Sequence, residues 1–134
     1  MVLVDGQGTP IGLHLDSASP SEVKLLEPTL KTVRGGTPER LIGDRGYDSN
    51  AVRTFLRHRH IDPIIPKRSN NTRATDQDGR KLRRYKRRWI IERTNAWLQN
   101  FRRVLVRHER SVDVYQAFVH MACALIALRR LVSK

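Results

Sequence analysis

Residues 40–66 read RLIGDRGYDSNAVRTFLRHRHIDPIIP, and this stretch decides the fold class. Its first residues predict a short strand that ends at Asp44, and the apolar spacing that follows predicts a helix capped by Asn50. The last part, residues 60–66, predicts a second strand in which Pro63 indicates an edge position or an irregular end. A strand, a helix and a strand in this order predict an α/β fold.

The segments on either side continue this alternation. Residues 2–15 predict a β-hairpin because two short apolar runs flank a Gly-rich turn, and a helix is expected from about residue 19 to the glycines at 35–36. The polar residues 67–79 predict a loop. A basic helix over about 80–105 and a C-terminal helix over about 111–132, apolar on most sides and therefore buried or dimer-forming, complete a single domain.

The charge of the chain points to a polyanionic partner. The 134 residues contain 26 Lys and Arg against 13 Asp and Glu, which gives a net charge of +13. Residues 1–66 are neutral overall, whereas residues 80–110 alone hold twelve basic side chains and two acidic ones. Nucleic acid is the first expectation and an anionic membrane surface the second. The alternative is a solvated basic helix face, which usually mixes both signs.

Composition excludes several other classes of protein. An apolar content of 39% in periodic runs excludes a disordered chain, and a single cysteine excludes a disulfide scaffold and a cysteine zinc site. The longest apolar run, residues 114–128, is expected to be too short to cross a bilayer, and no signal peptide is evident. We therefore expect a soluble, cytoplasmic protein.

Two carboxylates stand out as candidates for chemistry. Asp44 closes a predicted strand and precedes a Gly turn, which suits a side chain that projects into a cleft, but a turn aspartate fits equally well. Asp48 is expected to help Asn50 cap the next helix. Glu92 lies in one helical sector with Arg88, so it is either an exposed partner of that arginine or a metal ligand within the basic segment.

At this point the sequence resembles a known family. Tyr85-x2-Arg88-x3-Glu92, placed after Leu41-Ile-Gly-Asp44-Arg-Gly-Tyr-Asp48, resembles the DDE transposases of bacterial insertion sequences, whose signature is Tyr-x2-Arg-x3-Glu-x6-Lys. The resemblance covers residues 1–132. It implies a ribonuclease H-like mixed sheet flanked by helices, with catalytic carboxylates on the first strand, the fourth strand and a late helix.

The resemblance also implies roles for individual residues. Asp44 and Glu92 match the second and third catalytic carboxylates, which would hold Mg²⁺ or Mn²⁺ during DNA cleavage and strand transfer at insertion-sequence ends. Tyr85 and Arg88 match positions that contact DNA phosphates. The signature Lys falls at Gln99, where Arg102 or Arg103 would substitute. The further residues expected to bind DNA are Arg45, Lys67, Arg68, Arg84, Arg87 and Arg103.

The N-terminus departs from the family pattern. Asp5 is a candidate for the first catalytic Asp, but its Gly-rich context resembles the hairpin between the second and third strands. We therefore expect a partial catalytic domain without the family's first strand, nucleoid-associated in bacteria, that forms a homodimer or assembles with an N-terminal transposase segment. Alone it should be weakly active or inactive, with the Asp44 and Glu92 carboxylates within about 8 Å of each other. The alternatives are a non-catalytic DNA-binding remnant that inhibits the full enzyme and a basic RNA-binding protein.

Overall fold

The structure of the chain, a computed structural model, describes residues 1–17, 19–69 and 79–132. Most of the loop expected at residues 67–79 lies outside this part. Short 3₁₀ helices occupy Arg45–Tyr47 and Arg83–Arg88. The strands and α-helices are β1 (Val2–Val4), β2 (Pro10–Leu13), α1 (Glu22–Lys31), β3 (Arg40–Ile42), α2 (Asn50–His58), β4 (Asp62–Ile64), α3 (Gly79–Leu82), α4 (Trp89–Gln99), α5 (Arg102–Leu105) and α6 (Val112–Val132).

The chain divides into two compact units, and its mixture of strands and helices confirms the α/β class. The hairpin unit combines residues 1–34 with residues 90–134, whereas the strand–helix–strand unit is the continuous segment 35–89. The described residues form two sheets of two strands each, instead of the single mixed sheet expected from the sequence. Each strand is only three or four residues long.

The hairpin unit is organised around the predicted β-hairpin, which the structure confirms. β1 and β2 pair antiparallel, with Val2 opposite Leu13. The turn between them packs against α4, because the carbonyl of Gly8 accepts a hydrogen bond of 2.8 Å from Oγ1 of Thr94. Gly8 has a φ of +92°, and a Cβ there would lie 3.0 Å from that same oxygen. Only glycine therefore combines this backbone conformation with so close an approach.

Helices α4 and α6 supply the core of the hairpin unit. Leu98, Ala122 and Ile126 form a buried cluster, and Val2 and Phe101 are among the partly buried residues packed against it. Ile90 and Thr94 extend the buried face of α4.

The strand–helix–strand unit is a parallel pair with a helical crossover. β3 and β4 run parallel, with Leu41 opposite Pro63, and α2 connects them. Ladder hydrogen bonds run from Gly43 N to Ile64 O and from Asp62 N to Glu39 O, at 3.2 and 2.9 Å. Pro63 has no N–H to donate, which a two-stranded sheet tolerates. The buried apolar residues of the unit are Leu41, Val52, Leu56, Ile61, Ile64 and Ile65.

The start of α2 differs from the prediction. The helix is capped by Ser49, whose Oγ accepts a hydrogen bond of 3.2 Å from the N–H of Val52, and Asn50 is the first helical residue. Ser49 has an extended backbone, with φ −136° and ψ 153°, which is the conformation that an N-cap requires. The assignment of Asn50 as the cap was wrong by one position.

The basic segment is not one continuous helix. Residues 79–105 are divided into α3, the 3₁₀ helix Arg83–Arg88, α4 and α5. Seven basic side chains in ten residues repel one another on neighbouring turns, which disfavours a regular α-helix there. A second break follows α4, where Phe101 adopts an extended backbone conformation before α5.

Helix α6 is largely exposed, which corrects the expectation of a buried C-terminal helix. Only Val119, Ala122 and Ile126 are buried, because one stripe of the helix packs on the rest of the hairpin unit. With 21 residues and a mean hydropathy of 1.3 it meets the length and composition of a membrane span, so the expectation that the apolar run is too short was wrong. Core helices of soluble proteins also meet this criterion, and it is weak evidence for a membrane.

Candidate catalytic and DNA-binding site

Asp44 lies at the carboxyl end of β3, as the sequence predicts. The residue is half-buried, and its Oδ1 accepts a hydrogen bond of 2.7 Å from the N–H of Gly46. A Cβ at Gly46 would also lie 2.7 Å from that oxygen, so a side chain there would displace the Asp44 carboxylate. Asp44 therefore has the turn-forming role that was the alternative interpretation, and the same bond fixes its carboxylate at the end of a parallel strand, where binding clefts usually lie.

Asp48 does not cap α2, and this expectation was wrong. Its Oδ1 accepts hydrogen bonds from Nε and Nη2 of Arg53 at 3.0 and 2.8 Å, and both side chains are almost completely inaccessible to solvent. Arg53 also donates to the carbonyl of Ile65 at 2.6 Å. The five-residue spacing between Asp48 and Arg53 was the signal in the sequence for an ion pair. The spacing alone does not predict burial, because an exposed ion pair can have the same spacing.

Arg68 joins this network and encloses the loop that follows Asp44. Its backbone N–H donates to Oδ2 of Asp48 at 2.8 Å. Its guanidinium donates to the carbonyls of Arg45 and Gly46, at 2.7 and 3.0 Å. In the structure the donors of Arg68 hold the loop, and its predicted contact with DNA stays a prediction. The position of Asp44 therefore depends on side chains that lie up to 24 residues away in sequence.

Tyr85 and Arg88, the pair expected to contact DNA phosphates, lie side by side in the same unit. Nη1 of Arg88 donates a hydrogen bond of 2.9 Å to the Tyr85 hydroxyl, and the guanidinium lies 5.6 Å from the ring centroid. Their 3₁₀ helix packs beside β3, the strand that leads to Asp44. Arg84 and Arg87 are exposed on the same short helix. Part of the predicted site is thus assembled within residues 35–89.

The remaining predicted DNA contacts differ in their surroundings. Arg45 is exposed and Lys67 is half-buried in the strand–helix–strand unit. Arg103, in the hairpin unit, is bound to the carboxylate of Glu109, and its guanidinium lies 4.9 Å from the centre of the Phe118 ring.

Glu92 lies in the first turn of α4 and is exposed. It belongs to the hairpin unit, whereas Asp44 belongs to the strand–helix–strand unit. The separation of the two carboxylates stays a prediction.

Asp5 has the geometry of a turn residue. Its Oδ1 accepts hydrogen bonds from the N–H groups of Gln7 and Thr9, at 2.8 and 2.9 Å. Burial by itself raises the pKa of Asp5, but the hydrogen bonds from Thr9 and Gln7 favour the charged form, and the pKa lies below its ordinary value. This carboxylate closes the predicted hairpin turn.

Comparison with known proteins identifies the family. A family model described as a transposase DDE domain matches residues 1–127.

This chain belongs to the DDE transposases.

Two curated relatives agree with this assignment. A putative transposase for insertion sequence element IS402 from Burkholderia cepacia is 37% identical over an alignment of 134 residues. The alignment covers 93% of this chain and 60% of the relative. A putative transposase for insertion sequence element IS6501 from Brucella ovis is 28% identical over 127 residues, which cover 95% of each chain. No solved structure matches the chain. This transposase domain spans about three-fifths of the length of the IS402 relative.

DDE transposases are in general dependent on divalent metal ions and bind DNA. The carboxylate oxygens of Asp44 and Glu92 are hard ligands of the type that Mg²⁺ prefers, so their chemistry suits such an ion. Within the described residues, however, no group of three or more Asp, Glu, His or Cys side chains could hold a metal ion. The described part of this transposase domain therefore supplies suitable ligands but does not contain a three-ligand cluster.

Proposed function

We propose that this transposase domain acts in metal-dependent cleavage and strand transfer at insertion-sequence ends, with Asp44 and Glu92 as catalytic carboxylates. One observation carries the proposal. In a chain of this family, Asp44 is fixed at the end of β3 in the same compact unit as the hydrogen-bonded pair Tyr85 and Arg88.

Each residue has a distinct task in this proposal. Asp44 and Glu92 hold the divalent ion, which when bound stabilises the attacking and leaving oxygens of a phosphodiester. Arg88, oriented by Tyr85, binds a phosphate near the reacting bond, while the exposed Arg84 and Arg87 bind the DNA backbone. Arg45, Lys67, Arg68 and Arg103 remain further candidates for DNA contact.

A third carboxylate is needed to complete the site, and we propose that Asp5 does not supply it. Its Oδ1 already accepts two hydrogen bonds within the hairpin turn. Another transposase segment that carries an acidic residue on a strand would then complete the metal site. Assembly in the bacterial cytoplasm, on nucleoid DNA, follows from this proposal.

Homodimer formation through α6 is part of the proposed assembly. From Met121 to Val132, exposed apolar side chains recur on α6 at the alternating four- and three-residue spacing of a coiled-coil seam, and Val114 lies seven residues before Met121. The seam lies on a different face from the buried stripe of Val119, Ala122 and Ile126. Its members are Val114, Met121, Leu125, Leu128 and Val132.

Metal binding and DNA cleavage by the chain test the proposal. Binding of Mn²⁺, measured by electron paramagnetic resonance, should be weak in the wild type and weaker still in Asp44→Asn and in Glu92→Gln. The control Asp62→Asn removes a carboxylate that pairs with Lys81, and it should leave Mn²⁺ binding unchanged. Equal Mn²⁺ binding by all four proteins would refute the assignment of Asp44 and Glu92.

The cleavage assay uses a duplex that carries the element ends, with Mg²⁺ or Mn²⁺. We expect no cleavage by the wild type, Asp5→Asn or Asp44→Asn when the chain acts alone, while all three still bind the duplex. Strong cleavage by the wild type that Asp5→Asn abolishes would make Asp5 the first catalytic carboxylate. Binding without cleavage in every assembly tested would favour the non-catalytic remnant.

A further inference from the structure

The hairpin unit contains a pocket that the proposed catalytic residues do not use. It has a volume of about 370 Å³ and is lined in part by Gln7, Trp97, Asn100, Arg129 and Arg130, which come from the hairpin turn, from α4 and the residue that follows it, and from α6. Among the described residues, none that lines the pocket is acidic. A pocket of this size can hold a small charged group together with part of the molecule to which that group is attached.

Basic groups are concentrated around one tryptophan of this pocket. The guanidinium carbons of Arg93 and Arg130 lie 4.7 and 5.6 Å from the centroid of the Trp97 ring. They are therefore at most about 10 Å apart, close to the screening length of physiological salt, so the two charges repel each other. Arg129 brings a third positive charge to the pocket wall.

The indole offsets only part of this repulsion. Both guanidinium groups share a single ring, and Nη2 of Arg93 also donates a hydrogen bond of 2.7 Å to the carbonyl of Gln7. An anion bound in the pocket would interact favourably with Arg129 and Arg130, the two arginines that line it. Arginine is also the side chain that binds phosphate oxygens in a bidentate manner.

We propose that this pocket binds one phosphate of the DNA backbone through Arg129 and Arg130, with Gln7 and Asn100 as polar neighbours and Trp97 as a platform that positions Arg130. The site lies in the hairpin unit, apart in sequence from the basic 3₁₀ helix Arg83–Arg88. The inference rests on the proposed function, because it assumes that DNA is the partner.

The salt dependence of DNA binding tests the pocket. Arg129→Gln removes one positive charge but keeps the two arginines over Trp97. For a random duplex we expect the dissociation constant to rise at least fivefold, and the slope of log K against log salt to become shallower by about 1. Arg129→Lys should largely restore both values. The matched control Lys24→Gln, which removes an exposed charge from α1 of the same unit, should change neither.

A fluorescence titration tests the pocket without DNA. The chain has two tryptophans, and Trp89 is 52% exposed, so Trp89→Phe leaves Trp97 as the only indole reporter without opening the core. Inorganic phosphate should change the Trp97 emission saturably, and the added Arg129→Gln substitution should abolish that change.

The outcomes separate this inference from the proposed function. If charge reversal at Arg84 and Arg87 weakens DNA binding while Arg129→Gln alters neither the affinity nor the salt slope, the arginines over Trp97 are only structural and the inference is overturned. If the wild type does not bind DNA at all, the proposed function fails, and the inference fails with it. A phosphate response at Trp97 in that case would indicate a pocket for another phosphorylated ligand.

Discussion

Asp48 holds a charge in the interior of the strand–helix–strand unit, where its counter-ion is Arg53. Its side chain is 0% exposed and that of Arg53 is 2% exposed. Asp48→Asn leaves the guanidinium buried without its counter-ion, so we expect the free energy of unfolding to fall by about 3–5 kcal/mol. Urea denaturation followed by circular dichroism measures this change.

A more exposed carboxylate provides the control for Asp48. Asp62 pairs with Lys81 at 3.0 Å, but the two side chains are 34% and 49% exposed. Asp62→Asn should therefore cost less than about 1 kcal/mol. The double substitution Asp48→Leu with Arg53→Met should recover part of the loss, because it removes both charges. Equal losses for Asp48→Asn and Asp62→Asn would contradict a buried ion pair.

The carboxylate of Asp5 makes stability depend on pH. Its pKa is lower in the folded chain than in the unfolded chain, so its contribution is present above the unfolded pKa and is lost as the pH falls through the folded pKa. We expect Asp5→Asn to be less stable than the wild type at pH 7 and the difference to shrink below about pH 4. Urea midpoints across this range measure the effect, and a difference independent of pH would refute it.

Local chemistry explains which residues the sequence could place. Asp44 was predictable because an apolar run, a carboxylate and a glycine turn are adjacent in sequence. The role of Asp48 was not, because helix capping is a local property, whereas its bond to the N–H of Arg68 requires a chain closure over 20 residues. The contact of Arg130 with Trp97 was missed for the same reason, since 33 residues separate the two in sequence.

The basic 3₁₀ helix Arg83–Arg88 is the element we expect to dominate binding to DNA. If half of the twelve basic residues in 80–110 contact phosphates, the slope of log K against log salt is about −5. Charge reversal at Arg84 and Arg87 should weaken binding to all sequences alike and make that slope shallower. Fluorescence anisotropy with two unrelated duplexes measures both effects.

The matched control for the basic 3₁₀ helix reverses two exposed charges elsewhere. Lys24 and Arg34 are exposed on or near α1, and their reversal changes the net charge by the same amount. A comparable loss of affinity in this control would mean that net charge, and not the position of Arg84 and Arg87, determines binding.

Among the helices and strands, the sequence predicted those whose apolar pattern and turn residues lie close together in the chain. The hairpin β1–β2 and the crossover β3–α2–β4 follow from apolar runs and turn residues. The prediction of a continuous helix over 80–105 was wrong because hydrophobic periodicity takes no account of repulsion between like charges. The expectation that α6 is buried was wrong because apolar composition does not reveal which helix faces pack against the rest of the chain.

The catalytic proposal requires residues from both units of the molecule to act together. We expect Asp44→Cys and Glu92→Cys, introduced together in a Cys123→Ser background, to be joined by a cross-linker of about 5 Å, because metal-sharing carboxylates lie within about 8 Å. Mass spectrometry of the digested protein identifies the bridge. Asp44→Cys with Lys24→Cys serves as the control for random cross-linking, and equal yields from both pairs would contradict a shared site.

The exposed seam on α6 gives a prediction for the assembled molecule. Leu125→Glu with Leu128→Glu places charges in the apolar interface, so we expect a dimer to dissociate into monomers. Light scattering coupled to size-exclusion chromatography measures the mass. His120→Glu adds charge outside the seam and should leave the dimer intact. A monomeric wild type, or a dimer that survives the double substitution, would refute the seam.

The hairpin unit combines a segment from each end of the described chain, and in sequence the strand–helix–strand unit lies between these two segments. The hydrogen bond from Thr94 to Gly8 spans 86 positions. At roughly 5–20 residues per second, a ribosome needs about 4 to 17 seconds to synthesise the residues between these partners. During that interval the strand–helix–strand unit can fold as it emerges, while the N-terminal hairpin waits without α4. A pause in translation before residue 94 would therefore prolong the exposure of β1 and β2, and with it the opportunity for nascent chains to aggregate.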